Sequence, residues 1–172
     1  MYNLSKEAKT IRVSNAVAAS QTTLSTSIVD LGGSAGAGGY DAVMFVVLLN
    51  TMTAGSVLTA TVQDNSTNAA GGMANVTASY AAVSQTNAAN ATVAQSASNA
   101  GVVFTDVGGL SSNEVFLVDC ALPQKEFVRL QITIATANAA FDGVLAILYR
   151  SKNRPTVVDT SVGGVGYFVA SS

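Results

Sequence analysis

From Phe127 the chain reads FVRLQITIAT, with Val128, Leu130, Ile132 and Ile134 at every second position and Arg129, Gln131 and Thr133 between them. A strict period of two is incompatible with a helix and describes a strand with one face buried. SVLTATVQDN repeats it, with Leu58, Ala60 and Val62 turned inward and Thr59, Thr61 and Gln63 outward. YDAVMFVVLLN and DGVLAILYR are instead continuous apolar runs bounded by Gly, Asp or Asn. Their length and β-branched content predict central strands buried on both faces. NEVFLVDCALP, TIRVSNAVAAS, GVVFTDVG and TLSTSIVDLGG complete a set of about eight strands. Short strands broken by glycine and asparagine, with almost no helical pattern, predict an all-β fold: a single antiparallel β-sandwich or jelly roll.

The punctuation fits that reading. Asp142 and Gly143 are expected to open the last strand. Gly32, Gly33, Gly36, Gly38 and Gly39 are expected to form a flexible hairpin connection ahead of Tyr40. GGSAGAGGY lacks the lysine and Ser/Thr of a phosphate-binding loop and the spacing of a dinucleotide fingerprint. Residues 10–152 are expected to form the domain, with an N-terminal arm at 1–9, a neutral insertion at 65–100 and a C-terminal tail at 153–172. A chain of 172 residues suits one domain that needs no disulfide or metal to hold it.

Only 10% of the residues are charged, against about 25% in ordinary proteins. From Asn65 to Thr105 there is no charged side chain at all. Disordered segments are usually rich in charge and proline, and this stretch has neither. Small polar side chains lose little entropy on ordering. The insertion is therefore expected to be irregular, with one short strand or helical turn, and suited to a protein interface; a plain surface loop is the alternative. A monomer with so few charges risks self-association, so much of the surface is expected to end against protein.

Chemistry is sparsely represented. The sequence has no histidine, which removes serine, cysteine and zinc sites built on imidazole. The carboxylates stand singly at predicted strand ends, where turn formation explains them, and no calcium-loop pattern occurs. Cys120 is the lone cysteine, inside VFLVDCAL, and reads as a small buried hydrophobe. No catalytic residue, cofactor or metal ligand is assigned. A net charge of −2 without a broad basic patch argues against nucleic acid as a partner. The longest strongly apolar run, Ala42 to Leu49, is far short of the roughly 20 residues of a membrane-spanning helix. With a polar, charged start in MYNLSKEAKTIRV, the chain is expected to be soluble, made in a cytoplasm and not membrane-bound.

Candidate interface residues gather at the two ends. Lys6, Lys9 and Arg12 lie in the first dozen residues and Arg150, Lys152 and Arg154 cluster just after the last core strand, six of the eight basic residues. Beyond Pro155 the tail TVVDTSVGGVGYFVASS places Tyr167, Phe168 and Val169 near its end. Aromatic residues on a glycine-containing tail dock on their own domain or on a neighbour. Insertion into a neighbour accounts better for an otherwise polar tail, with Lys6, Lys9, Arg150, Lys152 and Arg154 meeting acidic groups on the same partner.

A resemblance follows from the order of motifs. The strand from Gly39 to Val43, the alternating strand from Gly55 to Gln63, the Lys125 to Arg129 segment and the final strand Val144 to Pro155 are similar to those of a group of small structural proteins from tailed bacteriophages. The similarity spans about two thirds of the chain. It departs from the pattern in the neutral insertion from Asn65 to Ala100 and in Phe104, where a tryptophan is often found. The resemblance implies a non-enzymatic virion protein of the capsid decoration or cement type, made in the host cytoplasm and placed on the outer surface of the capsid. Its implied partners are the major capsid protein and further copies of itself, as a dimer or trimer. A phage tail or neck component, or a carbohydrate- or receptor-binding β-sandwich, is the alternative.

Overall fold

The computed structural model describes residues 8–32, 39–76, 80–85, 91–95, 102–106, 112–121 and 123–151. They form thirteen strands: β1 (Lys9–Ser14), β2 (Val17–Ser20), β3 (Leu24–Ser25), β4 (Val29–Asp30), β5 (Tyr40–Met52), β6 (Val57–Asn65), β7 (Ala74–Asn75), β8 (Tyr80–Gln85), β9 (Ala91–Gln95), β10 (Val102–Asp106), β11 (Ser112–Ala121), β12 (Phe127–Ala135) and β13 (Ala139–Ser151). No helix occurs among the described residues.

Two antiparallel sheets share these strands. The six-stranded sheet runs β1-β13-β5-β11-β8, with β2 also on β13. The seven-stranded sheet runs β3-β12-β6-β10-β9, with β4 also on β12 and β7 on β6. The first half of the chain pairs with the second in reverse order: β6 with β10, β5 with β11, β3 and β4 with β12, and β1 and β2 with β13. A long hairpin rolled up in this way is a jelly roll, and the molecule is a β-sandwich of that connectivity. All eight predicted runs occupy jelly-roll positions. Two of them are broken, TIRVSNAVAAS into β1 and β2 and TLSTSIVDL into β3 and β4.

The core lies between the sheets. Phe45, Val47 and Leu49 of β5, Phe116 and Val118 of β11, and Phe141, Val144 and Leu148 of β13 face Leu58 and Val62 of β6 and Val128, Leu130 and Ile132 of β12, all buried. β12 keeps the alternation read from its sequence, with Val128, Leu130, Ile132 and Ile134 buried.

Three expectations are corrected. The insertion holds more than one short strand, because β7, β8 and β9 all fall within 65–100 and join sheets. The glycine-rich connection is not a hairpin, since β4 and β5 belong to different sheets. Its base is pinched by the Tyr40 amide donating to the Leu31 carbonyl at 2.7 Å. There a β-carbon on Gly39 would run into the Gly32 carbonyl, which is the close approach that requires glycine. Asp142 and Gly143 do not open the last strand either. They lie inside β13, where its pairing with β5 shifts register. Gly143 takes φ 148°, and a β-carbon there would meet the Ser14 carbonyl at 3.0 Å.

The break between β3 and β4 is bridged by a side chain. The Leu130 amide donates to Thr26 Oγ1 at 3.0 Å, while the Thr26 amide donates to the Leu130 carbonyl at 3.0 Å. Thr26 is itself buried. Thr26→Val keeps the shape and strands the Leu130 N–H without its acceptor, a loss of about 1–3 kcal/mol measurable by urea unfolding.

Candidate functional site

Antiparallel sandwiches usually bury one face of each sheet and leave the other polar. The seven-stranded sheet obeys this rule on β6, β7 and β12. On its outer side Arg129 Nε donates to Gln63 Oε1 at 2.8 Å, and Gln63 Nε2 donates to Gln131 Oε1 at 3.2 Å and to Asn75 Oδ1 at 3.1 Å. Thr59 and Thr133 continue the polar side. This amide ladder covers Gln63 and Thr61 so well that both are 8% exposed despite facing away from the core.

The six-stranded sheet breaks the rule. Its inner-facing residues alternate with Met44, Val46 and Leu48 on β5, Leu145 and Ile147 on β13, and Val115 and Leu117 on β11. Register places these outer residues in rows: Arg12, Leu145, Val46 and Leu117 form one, Thr10, Ile147, Met44 and Asp119 the next. Leu48 stands beside Val115 in a third. All the aliphatic members are half-buried except Val115, which is 36% exposed. Strands spaced by about 4.8 Å and residues by about 3.3 Å make this a patch on the order of a few hundred Å², the size at which apolar patches on monomers are often functional. YDAVMFVVLLN and DGVLAILYR were expected to be buried on both faces; among the described residues only their inner face is fully covered. The composition of a two-sided strand is present, and its second cover is not supplied by the described residues.

Polar groups rim the patch. Arg12 borders it on β1, with Nε donating to the Ser14 carbonyl at 3.3 Å. Asn50 Nδ2 donates to Asp142 Oδ1 at 2.7 Å at one end of the strands, and Tyr149 donates to Asp119 Oδ1 at 2.5 Å at the other. Burial and the Asp119 carboxylate both raise the Tyr149 pKa.

Of the residues singled out in the sequence as an interface, the fold brings two together. Lys9 pairs with Leu148 across β1 and β13, two residues from Arg150, and both are exposed. Lys9, assigned to an arm, is instead the first residue of a strand. Lys6, Lys152, Arg154, Tyr167, Phe168 and Val169 lie outside the described residues. The apolar face itself was missed as a site. Its signal was the unbroken apolar character of β5 and β13, which in sequence is the same whether the second cover is internal or another chain.

On the inner side Cys120 is fully buried. Burial, then the charges of Asp119 and Asp64, push its thiol from 9.0 to about 12. Asp64 is buried too and pairs with Lys125 Nζ at 3.3 Å. Among the described residues no three His, Cys, Asp or Glu side chains gather as a metal site, and no helix is long and apolar enough to cross a membrane. The geometry defines a β-sandwich with one polar and one apolar outer face. No family model, curated protein or solved structure matches the chain.

Two measurements check this layout. Phe45→Ala, on the inner face of β5, is expected to cost about 3–5 kcal/mol, whereas Val46→Thr, its neighbour on the outer face, should cost under about 1 kcal/mol; equal losses in urea unfolding would place the outer face in the core. For Cys120, the unfolded chain gives up the thiol proton at its ordinary 9.0 while the folded chain holds it to about 12. Its contribution to stability is therefore complete below pH 9 and falls as pH rises toward 12. Cys120→Ala should flatten the stability profile across that window.

Proposed function

We propose that this protein is a non-enzymatic structural component of a virion, a decoration protein that docks the apolar outer face of its six-stranded sheet on shell subunits and stabilises them across capsomer junctions. The observation that carries the docking is that face: Met44, Val46, Leu48, Val115, Leu117, Leu145 and Ile147 stand outward on three adjacent strands. Apolar area removed from water contributes roughly 25 cal/mol per Å² before the ordering costs of association. A shell repeats each contact many times, so modest contacts suffice. The virion setting rests on the resemblance of the motifs at Gly39 to Val43, Gly55 to Gln63, Lys125 to Arg129 and Val144 to Pro155. Lys9 and Arg150, two residues out of register across β1 and β13, give the basic end of the molecule a role against acidic groups of the same partner. The tail with Tyr167, Phe168 and Val169 adds an anchor from the same end.

Co-sedimentation with expanded capsids tests the reading. Wild type is expected to bind saturably in a fixed ratio to shell subunits, and Val46→Thr combined with Leu145→Gln to lose binding while remaining folded. Removing Pro155 to Ser172 should leave the β domain folded and weaken binding. Wild type that stays at its own sedimentation rate in the presence of shells overturns the proposal, and unchanged binding by the truncated form removes the tail from it.

A further inference from the structure

The two long sides of the sandwich are finished differently. On one side the sheets end in β1 and β2, and in β3 and β4. β1 carries Lys9 and Arg12, and its pairing slips between Arg12 and Ser14. The pairing of β2 is irregular between Ala139 and Phe141. β3 and β4 have two residues each, and β4 ends in Asp30. Charge, bulges and brevity are the means by which proteins keep a sheet edge from recruiting another strand.

Among the described residues the edge strands of the opposite side carry no charge and no register shift, and only β7, two residues on β6, is brief. The two sheet paths end there in strands drawn from the charge-free stretch, YAAVSQ in β8 and ATVAQ in β9, without a charge or a proline. Among the described residues β8 pairs on one side only, with β11, through six registered residues from Tyr80 to Gln85. No described strand pairs with its other side, whose backbone N–H and C=O groups are the template a further strand would need.

We propose that the β8 edge pairs antiparallel with the β8 edge of a second copy about a two-fold axis, joining two six-stranded sheets into one continuous sheet. The absence of charge identifies the occupant. An edge paired with its own copy sets its charges near identical ones, and like charges across a strand pair are destabilising. A wholly neutral edge carries no such penalty, and a two-fold axis makes it self-complementary. The pairing also has a consequence for the outer face. Val83 stands opposite Leu117 in the β8–β11 register, so the junction lies directly beside the apolar patch and sets two patches side by side. Together they form one apolar surface twice the size of either patch. This step rests on the docking role of that face, and its test uses the protein alone so that the two stand or fall separately.

Sedimentation velocity across a concentration series should give a dimer for the wild type. Val83→Lys and Val83→Glu, each retaining the wild-type β spectrum, should dimerise at least about tenfold more weakly, and an equimolar mixture of the two should recover the dimer because opposite charges then meet. Hydrogen exchange covers the event that either variant unfolds: amides 80–85 of the wild type are expected to gain protection as protein concentration rises. A wild type that remains monomeric throughout, variants that dimerise as the wild type does, or a β8 whose exchange ignores concentration would overturn the pairing. A monomer that still binds shells would leave the docking face intact, and a dimer whose shell binding survives Val46→Thr with Leu145→Gln would overturn the docking face and spare the edge.

Discussion

The pairing of β5 with β13 is the constraint on which the rest depends. It joins Tyr40 to Ser151 at one end and Met52 to Ala139 at the other, bringing together parts of the chain about a hundred residues apart. Loop-closure entropy for such a contact is recovered only when the whole set of reverse-order pairs forms. Once β5 and β13 are side by side, β11 and β1 have fixed places on either flank. The ends of the domain then meet at Lys9 and Arg150, and Phe45, Phe116, Phe141 and Leu148 close over the seven-stranded sheet.

The same strands that build the core create the candidate site, because a strand shows alternate residues to opposite faces. β6 and β12 spend their outer positions on Thr, Gln and Arg, and those side chains satisfy one another in a ladder. β5 and β13 spend theirs on Met, Val, Leu and Ile. On the docking reading proposed above, a sheet with two apolar faces is half of an interface. The neutral edge at β8 is proposed to add a second kind of contact, through backbone rather than side chains, on the side opposite the charged and bulged edge.

Legibility followed the physics of each signal. β12 and β6 were readable residue by residue, since Val128, Leu130, Ile132 and Ile134, and Leu58, Ala60 and Val62, alternate with polar neighbours that never leave solvent or the ladder. β8 and β9 were hidden because YAAVSQ and ATVAQ are rich in Ala, Ser and Gln, which mark no clear apolar–polar period and dilute the β preference of Tyr80, Val83, Thr92 and Val93. Their strand state is imposed by pairing with β11 and β10. Asp142 and Gly143 looked like a turn and proved to be a bulge, since the backbone freedom that suits one suits the other. The basic residues near the two termini were visible as clusters, but only the antiparallel pairing of β1 with β13 puts Lys9 near Arg150.

The sequence by itself determined an all-β sandwich, its eight principal strands and the inward faces of the alternating ones, because period and turn chemistry are local properties. Only the tertiary structure decided the jelly-roll order of pairing, the division between a polar and an apolar outer face, and the contrast between a guarded and a neutral edge. Those depend on which strand lies beside which, and a residue's own neighbours in sequence carry no record of that.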